Sequence, residues 1–104
     1  AIGAHYAATG GEQGVLGRPR GNERGGPAGG AHQVFERGRI LWSPATGAHA
    51  VRGAIGRAHA DLGGEAGRLG YPVGPARSAG GATVQSFQGG SVAYRQGRIT
   101  VSAR

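Results

Sequence analysis

The chain has no cysteine and no methionine, and its twelve basic residues include no lysine: all are arginine. Without cysteine there is no disulfide framework, no cysteine-ligated zinc site and no thiol nucleophile, although this absence leaves the compartment open. Bulky apolar residues are scarce. Leu, Ile, Val and Phe number 17 of 104, and with a formal net charge of +7 the composition falls in the range usually read as disordered. The longest apolar runs, such as Val34-Phe35 and Ile40-Leu41-Trp42, fall far short of the roughly 18 to 20 residues that span a bilayer. No membrane span is expected. The length bounds the chain to one ordinary domain, too small for a large enzyme. Ala1 opens it without an initiator methionine or a basic segment leading into an apolar run, so it reads as processed, excised from a longer protein, or missing its leader.

What is present is glycine, 24 residues of it, and arginine in a background rich in Ala, Gly and Pro. That pattern goes with a GC-rich genome, so part of the charge is coding bias. The residues also repeat. At an offset of 53, Ile2 aligns with Ile55, Gly11 with Gly64, Glu12 with Glu65, and Leu16, Gly17 and Pro19 with Leu69, Gly70 and Pro72. At an offset of 52, Gln33 meets Gln85, Phe35 meets Phe87, Ile40 meets Val92 and Trp42 meets Tyr94. Two residues are then lost in the next turn, and at an offset of 50 Gly47 meets Gly97 and Val51 meets Val101. The chain therefore reads as two copies, 1–53 and 54–104, of one unit that buries its apolar face against a neighbour. A disordered chain has no reason to hold such a register, so an ordered fold is expected.

Within each copy the period changes. Ile55, Ala58, His59 and Leu62 mark one face of a short helix ended by Gly63-Gly64; the first copy offers Ile2, His5, Tyr6 and Thr9 before Gly10-Gly11. Leu-Gly-x-Pro follows as a tight loop, then a Gly-rich connector, 21–30 or 74–81, expected to be exposed and mobile. Alternation then predicts three antiparallel strands per copy: His32 to Arg37, Arg39 to Ser43 and Ala48 to Val51, and Val84 to Gln88, Ser91 to Arg95 and Arg98 to Ser102. The expected fold class is α+β, a tandem of helix-plus-meander units in propeller-like or ring-like packing.

The string from Trp42 to Val51, with Gly53-Ala54-Ile55, Leu62-Gly63-Gly64-Glu65 and Leu69-Gly70-Tyr71-Pro72, resembles the LGFP repeat family over nearly the whole chain. The naming motif stands here as Leu16-Gly17-Arg18-Pro19 and Leu69-Gly70-Tyr71-Pro72; Arg18 departs from the usual aromatic. The resemblance implies a noncatalytic module of secreted, wall-associated actinobacterial envelope proteins, placed in tandem beside hydrolases or mycolyltransferases and holding them on the wall. Such repeats come in arrays of more than two, so the chain looks like a fragment, a short member or a self-assembling piece.

Signals for chemistry are few. His5, His32, His49 and His59 lack the spacing with carboxylates that marks a zinc site, and no serine sits in a Gly-x-Ser-x-Gly elbow. The glycines form no phosphate-binding motif. His5 and His59, with Glu12 and Glu65 just beyond, could form acid/base pairs, but at repeated glycine corners a structural hydrogen bond is the better reading. No catalytic residue, metal or cofactor is expected. Phe35 and Phe87 are core. Trp42, Tyr94 and Tyr71 are candidate sugar platforms, with polar contacts from Arg39, Arg95 and the turn containing Thr46 and His49. The partner expected is a cell-wall polysaccharide or another envelope polyanion, which a basic surface attracts. The rival is a self-assembling ring module without a glycan ligand. On either reading a homo-oligomer is expected, a closed ring of about two or three chains in which Ala1 and Arg104 meet across chains. A nucleic-acid binder is the weaker reading, because the Arg/Gly-rich stretch 17–26 holds no aromatic.

Overall fold

The computed structural model describes residues 2–8, 11 and 14–103. Thr9, Gly10 and Glu12, and the ends Ala1 and Arg104, lie outside them, so the expectations placed on those residues have no counterpart in the structure. The elements are α1 (Ile2–Ala8), β1 (Arg24–Gly25), β2 (Ala31–Phe35), β3 (Gly38–Ser43), β4 (Gly47–Arg52), α2 (Gly53–Asp61), β5 (Arg77–Ala79), β6 (Ala82–Phe87), β7 (Gly90–Arg95) and β8 (Arg98–Ala103). Short 3-10 turns lie at Pro27–Gly29 and Gly64–Ala66.

The expected α+β tandem in propeller-like or ring-like packing is overturned. The protein is mostly β, and its strands form two open four-stranded antiparallel sheets, β1-β2-β3-β4 and β5-β6-β7-β8. Each expected three-stranded meander gains a fourth strand from the Gly-rich connector: Arg24 pairs with His32, and Arg77 with Val84. These connectors are exposed, as expected, but β1 and β5 are hydrogen-bonded into the sheets. An edge strand needs only its backbone N–H and C=O groups, so composition leaves no alternation to read there.

The third strand also departs from the sequence alignment. Ile40 pairs with Ala50, whereas its counterpart Val92 pairs with Val101. Val101 is therefore equivalent to Ala50, not to Val51, and the turn loses one residue rather than two. A one-residue slip moves a side chain to the other face of the sheet. Val51 accordingly points away from the face that Ala50 shares with Ile40.

That difference of face organises the core. On one side of the first sheet Phe35 and Ile40 pack with Ile2 and Leu16, joined by half-buried Tyr6, Trp42, Ala48 and Ala50. On the other side Leu41 and Val51 enter a second core with Ile55, Leu69, Tyr71, Phe87 and Val92. The first sheet is thus covered by α1 on one face and by the C-terminal half on the other. The second sheet is covered by α2 on the face of Val92, Val101 and Ile99. Its outward face carries Val84, Ala93 and Thr100, which with Arg95 and Arg98 line a shallow groove of about 620 Å³.

The two Leu-Gly-x-Pro loops hang on the sheets in the same way. Leu16 and Leu69 are buried, and their carbonyls accept hydrogen bonds from the Arg37 and Gly89 amides at 3.0 and 2.8 Å. Pro19 bridges to Phe35, and Pro72 to Phe87. Gly17 and Gly70 hold φ of +77° and +71°, the left-handed region where a side chain is strained. No linker separates the halves: β4 ends at Arg52 and α2 begins at Gly53.

Candidate functional site

The loops are locked from below by one aromatic side chain each. Tyr6 donates from its hydroxyl to the Gly17 carbonyl at 2.8 Å and stacks on Phe35, ring centroids 4.5 Å apart. At the matching place His59 bonds the Gly70 carbonyl at 2.8 Å through Nε2 and stacks on Phe87 at 4.6 Å. His59 is fully buried and has one more partner, Arg39, whose Nη2 lies 3.0 Å from Nδ1 and 3.2 Å from the Gly56 carbonyl. A guanidinium only donates and a carbonyl only accepts. Nδ1 therefore keeps its lone pair and Nε2 carries the proton, which fixes the neutral ring. Burial holds the His59 pKa below the ordinary histidine value, and the Arg39 charge adds to this, against the Gly70 bond and the Glu65 charge. Burial likewise lowers Arg39.

Arg39 comes from the N-terminal half and His59 from the C-terminal half, so this bond belongs to a polar seam. His32 Nδ1 and Glu65 Oε2 lie 2.7 Å apart, shielded from solvent, and neither atom has another partner among the described residues. Gln85 donates to the Ala50 and Gly74 carbonyls at 2.9 and 3.0 Å. The Tyr71 hydroxyl donates to the Pro27 carbonyl at 2.7 Å, and burial, then the Glu65 charge, raises its pKa. Glu65 thus pairs with His32 rather than serving as an acid/base partner of His59.

The residues expected to bind sugar do not gather at one place. Tyr71 is only 2% exposed and offers no face to a ligand; it is a core residue whose hydroxyl staples the halves. Arg39 is engaged by Gly56 and His59. Trp42 is half-buried against the first core. Thr46 and His49 bond each other within the β3–β4 turn, His49 Nε2 to the Thr46 carbonyl at 2.8 Å, and the His49 ring stands edge-on to His5. Arg95 donates to the Gly80 carbonyl on the outward side of the second sheet. Tyr94 alone among the aromatics is well exposed, at 37%.

Tyr94 stands beside α2, between two shallow grooves. One, about 330 Å³, is lined by Arg52, Ala54, Ile55, Ala76 and Thr83; the other, about 410 Å³, by Arg57, Asp61 and Ile99. Across the helix a third groove of about 580 Å³ opens between Glu36, Arg37 and Arg39 on one wall and Arg52, Gly56 and Arg57 on the other. Small residues on α2, Gly53, Ala54, Gly56 and Ala60, keep all three shallow. Sequence reading missed Arg52 and Arg57, which look like dispersed charge along the chain. The one available signal was their spacing, i and i+5, across the glycine joint between β4 and α2. Among the described residues no group of three His, Asp or Glu side chains could hold a metal ion, and no helix is long and apolar enough to cross a membrane.

A family model described as LGFP repeat matches residues 16–67. No curated protein matches the chain.

Proposed function

The chain belongs to the LGFP repeat family, and from that membership we propose that it is a noncatalytic, secreted module that binds a polysaccharide of the bacterial cell wall. The supporting observation is Tyr94, an exposed ring at the mouth of two grooves, with Arg52 on one side and Arg57 on the other. A sugar ring laid on the tyrosine presents its C–H face to the aromatic and its hydroxyls to the guanidinium groups, which are donors only. His59, Glu65 and the Tyr71 hydroxyl are bound into the seam and act as scaffold. The self-assembling alternative draws less support, because the outward face of the second sheet offers Ala93 and Thr100 where the first sheet uses Leu41 and His49.

Sedimentation of the protein with purified wall glycan tests the reading. Tyr94→Ala is expected to weaken binding about tenfold, as for loss of one stacked ring, with the melting temperature kept. Undiminished binding by the folded variant overturns the Tyr94 site.

A further inference from the structure

We propose that the arginine-lined groove at the seam binds the acidic groups, carboxylate or phosphodiester, of a polysaccharide whose sugar ring rests on Tyr94. This rests on the glycan reading and adds the charge of the ligand. The groove exists only because the halves pack together: Arg37 and Arg39 come from the β2–β3 turn and β3, Arg52 and Arg57 from the end of β4 and from α2. At the places in the C-terminal half that match Arg37 and Arg39 stand Gly89 and Ser91, so the groove is not repeated.

Its charge is only partly compensated. Four arginines line the groove against one carboxylate, Glu36, whose Oε1 already accepts the Arg18 amide at 2.8 Å. The only ion pair among the described residues is His32 with Glu65, so among them none of the four arginines has a carboxylate within ion-pair distance, and the Glu65 charge reaches Arg39 from farther off. Two of the guanidinium groups are fixed in place by carbonyls. Arg37 donates to Val15 and Gly14 at 2.9 and 3.1 Å, and Arg39 to Gly56 at 3.2 Å. Carbonyls orient a cation without neutralising it. Clustered cations held in this way repel one another, and an oxyanion between them relieves that repulsion while accepting paired N–H bonds. Arg52 and Arg57 also line the two Tyr94 grooves, so one chain lying across α2 reaches ring and cations together. A bare polyanion would use the cations and ignore the ring.

The test is titration calorimetry of the intact chain, in moderate salt, with polygalacturonate, a phosphodiester-linked phosphomannan, dextran and inorganic polyphosphate. Polygalacturonate or the phosphomannan is expected to bind at least about tenfold more tightly than dextran, and whichever binds identifies the source of the oxyanion. The double variant Arg52→Gln/Arg57→Gln is expected to lose about tenfold or more toward that polymer. Both side chains are exposed, so its melt should match the parent. Equal binding of dextran, with the double variant unaffected and Tyr94→Ala impaired, overturns the acidic ligand and leaves the glycan reading standing. Binding of polyphosphate as tightly as the sugar polymers, untouched by Tyr94→Ala, overturns both, because the basic surface then acts as a general polyanion trap. No binding of any polymer also overturns the proposal.

Discussion

The two halves solve the same local problem with different rings. Tyr6 and His59 each bond the glycine carbonyl of a Leu-Gly-x-Pro loop and each stack on the phenylalanine that ends the first long strand. The requirement is a flat ring with one donor at its tip, and both residues meet it. They differ at the rest of the ring. A tyrosine has one polar atom, whereas the second nitrogen of histidine can accept, and at His59 a side chain from the other half, Arg39, supplies a donor. The C-terminal half thereby turns a local lock into a joint between halves. The loops diverge in parallel: Tyr71 reaches the Pro27 carbonyl, while Arg18 at the matching place is exposed.

The sharpest way to break the comparison is at the phenylalanines. Phe87 is buried in the core to which both halves contribute, Phe35 in the core of the first half. Each alanine variant is expected to cost about 3–5 kcal/mol, a large part of the roughly 5–10 kcal/mol available to a small domain. Phe87→Ala should remove the cooperative transition of the whole chain in urea, followed by circular dichroism. Phe35→Ala should leave a residual transition. Identical curves would mean that the two cores are not separately placed.

The rings themselves come next. His59→Phe keeps the stack but orphans both the Arg39 donor and the Gly70 carbonyl, an expected loss of about 2–4 kcal/mol, against about 0.5–1.5 for Tyr6→Phe. The histidine also makes stability depend on acid. Its folded pKa lies below the ordinary value of 6.5, so as pH falls through that value the unfolded chain takes up a proton that the folded chain resists. Stability is then present above about pH 6.5 and declines below it. Denaturant midpoints measured from pH 8 to pH 5 should fall in the parent and fall less in His59→Phe. Equal slopes would remove His59 as the source.

The loops should show the smallest effects. Tyr71→Phe is expected to cost about 0.5–1.5 kcal/mol through the lost Pro27 bond, and Arg18→Tyr to change stability by less than about 0.5 kcal/mol, as for an exposed site. A stabilising Arg18→Tyr would reveal a partner for that loop.

The loops and first strands were legible because their register is a matter of residue type: buried Leu16 and Leu69, buried Phe35 and Phe87, and Gln33 and Gln85, whose amides reach the Gly21 and Gly74 carbonyls at 2.9 and 3.0 Å. The fourth strands were not, since β1 and β5 are exposed and held by backbone bonds alone. Matching Val51 with Val101 chose identity over face, and identity does not record which side of a strand is buried. Of the residues in the candidate site, the sequence had singled out Tyr94 and Arg39. The burial of Tyr71 and the meeting of Arg37 and Arg39 with Arg52 and Arg57 depend on how the halves dock, which no local pattern encodes.

The outward face of the second sheet sets the terms on which this chain could be lengthened by fusion. The helix of another copy, joined after β8 as α2 is joined after β4, would be α1, whose Ile2 would find Ala93 and Ser102 where Leu41 and Val51 now receive Ile55. The aliphatic seat would not be there. A concatemer of this sequence should therefore melt as beads on a string, with one transition whose midpoint does not rise with the number of beads. Leucine at 93 and valine at 102 are the changes that would let neighbouring beads share a core and melt as a rod.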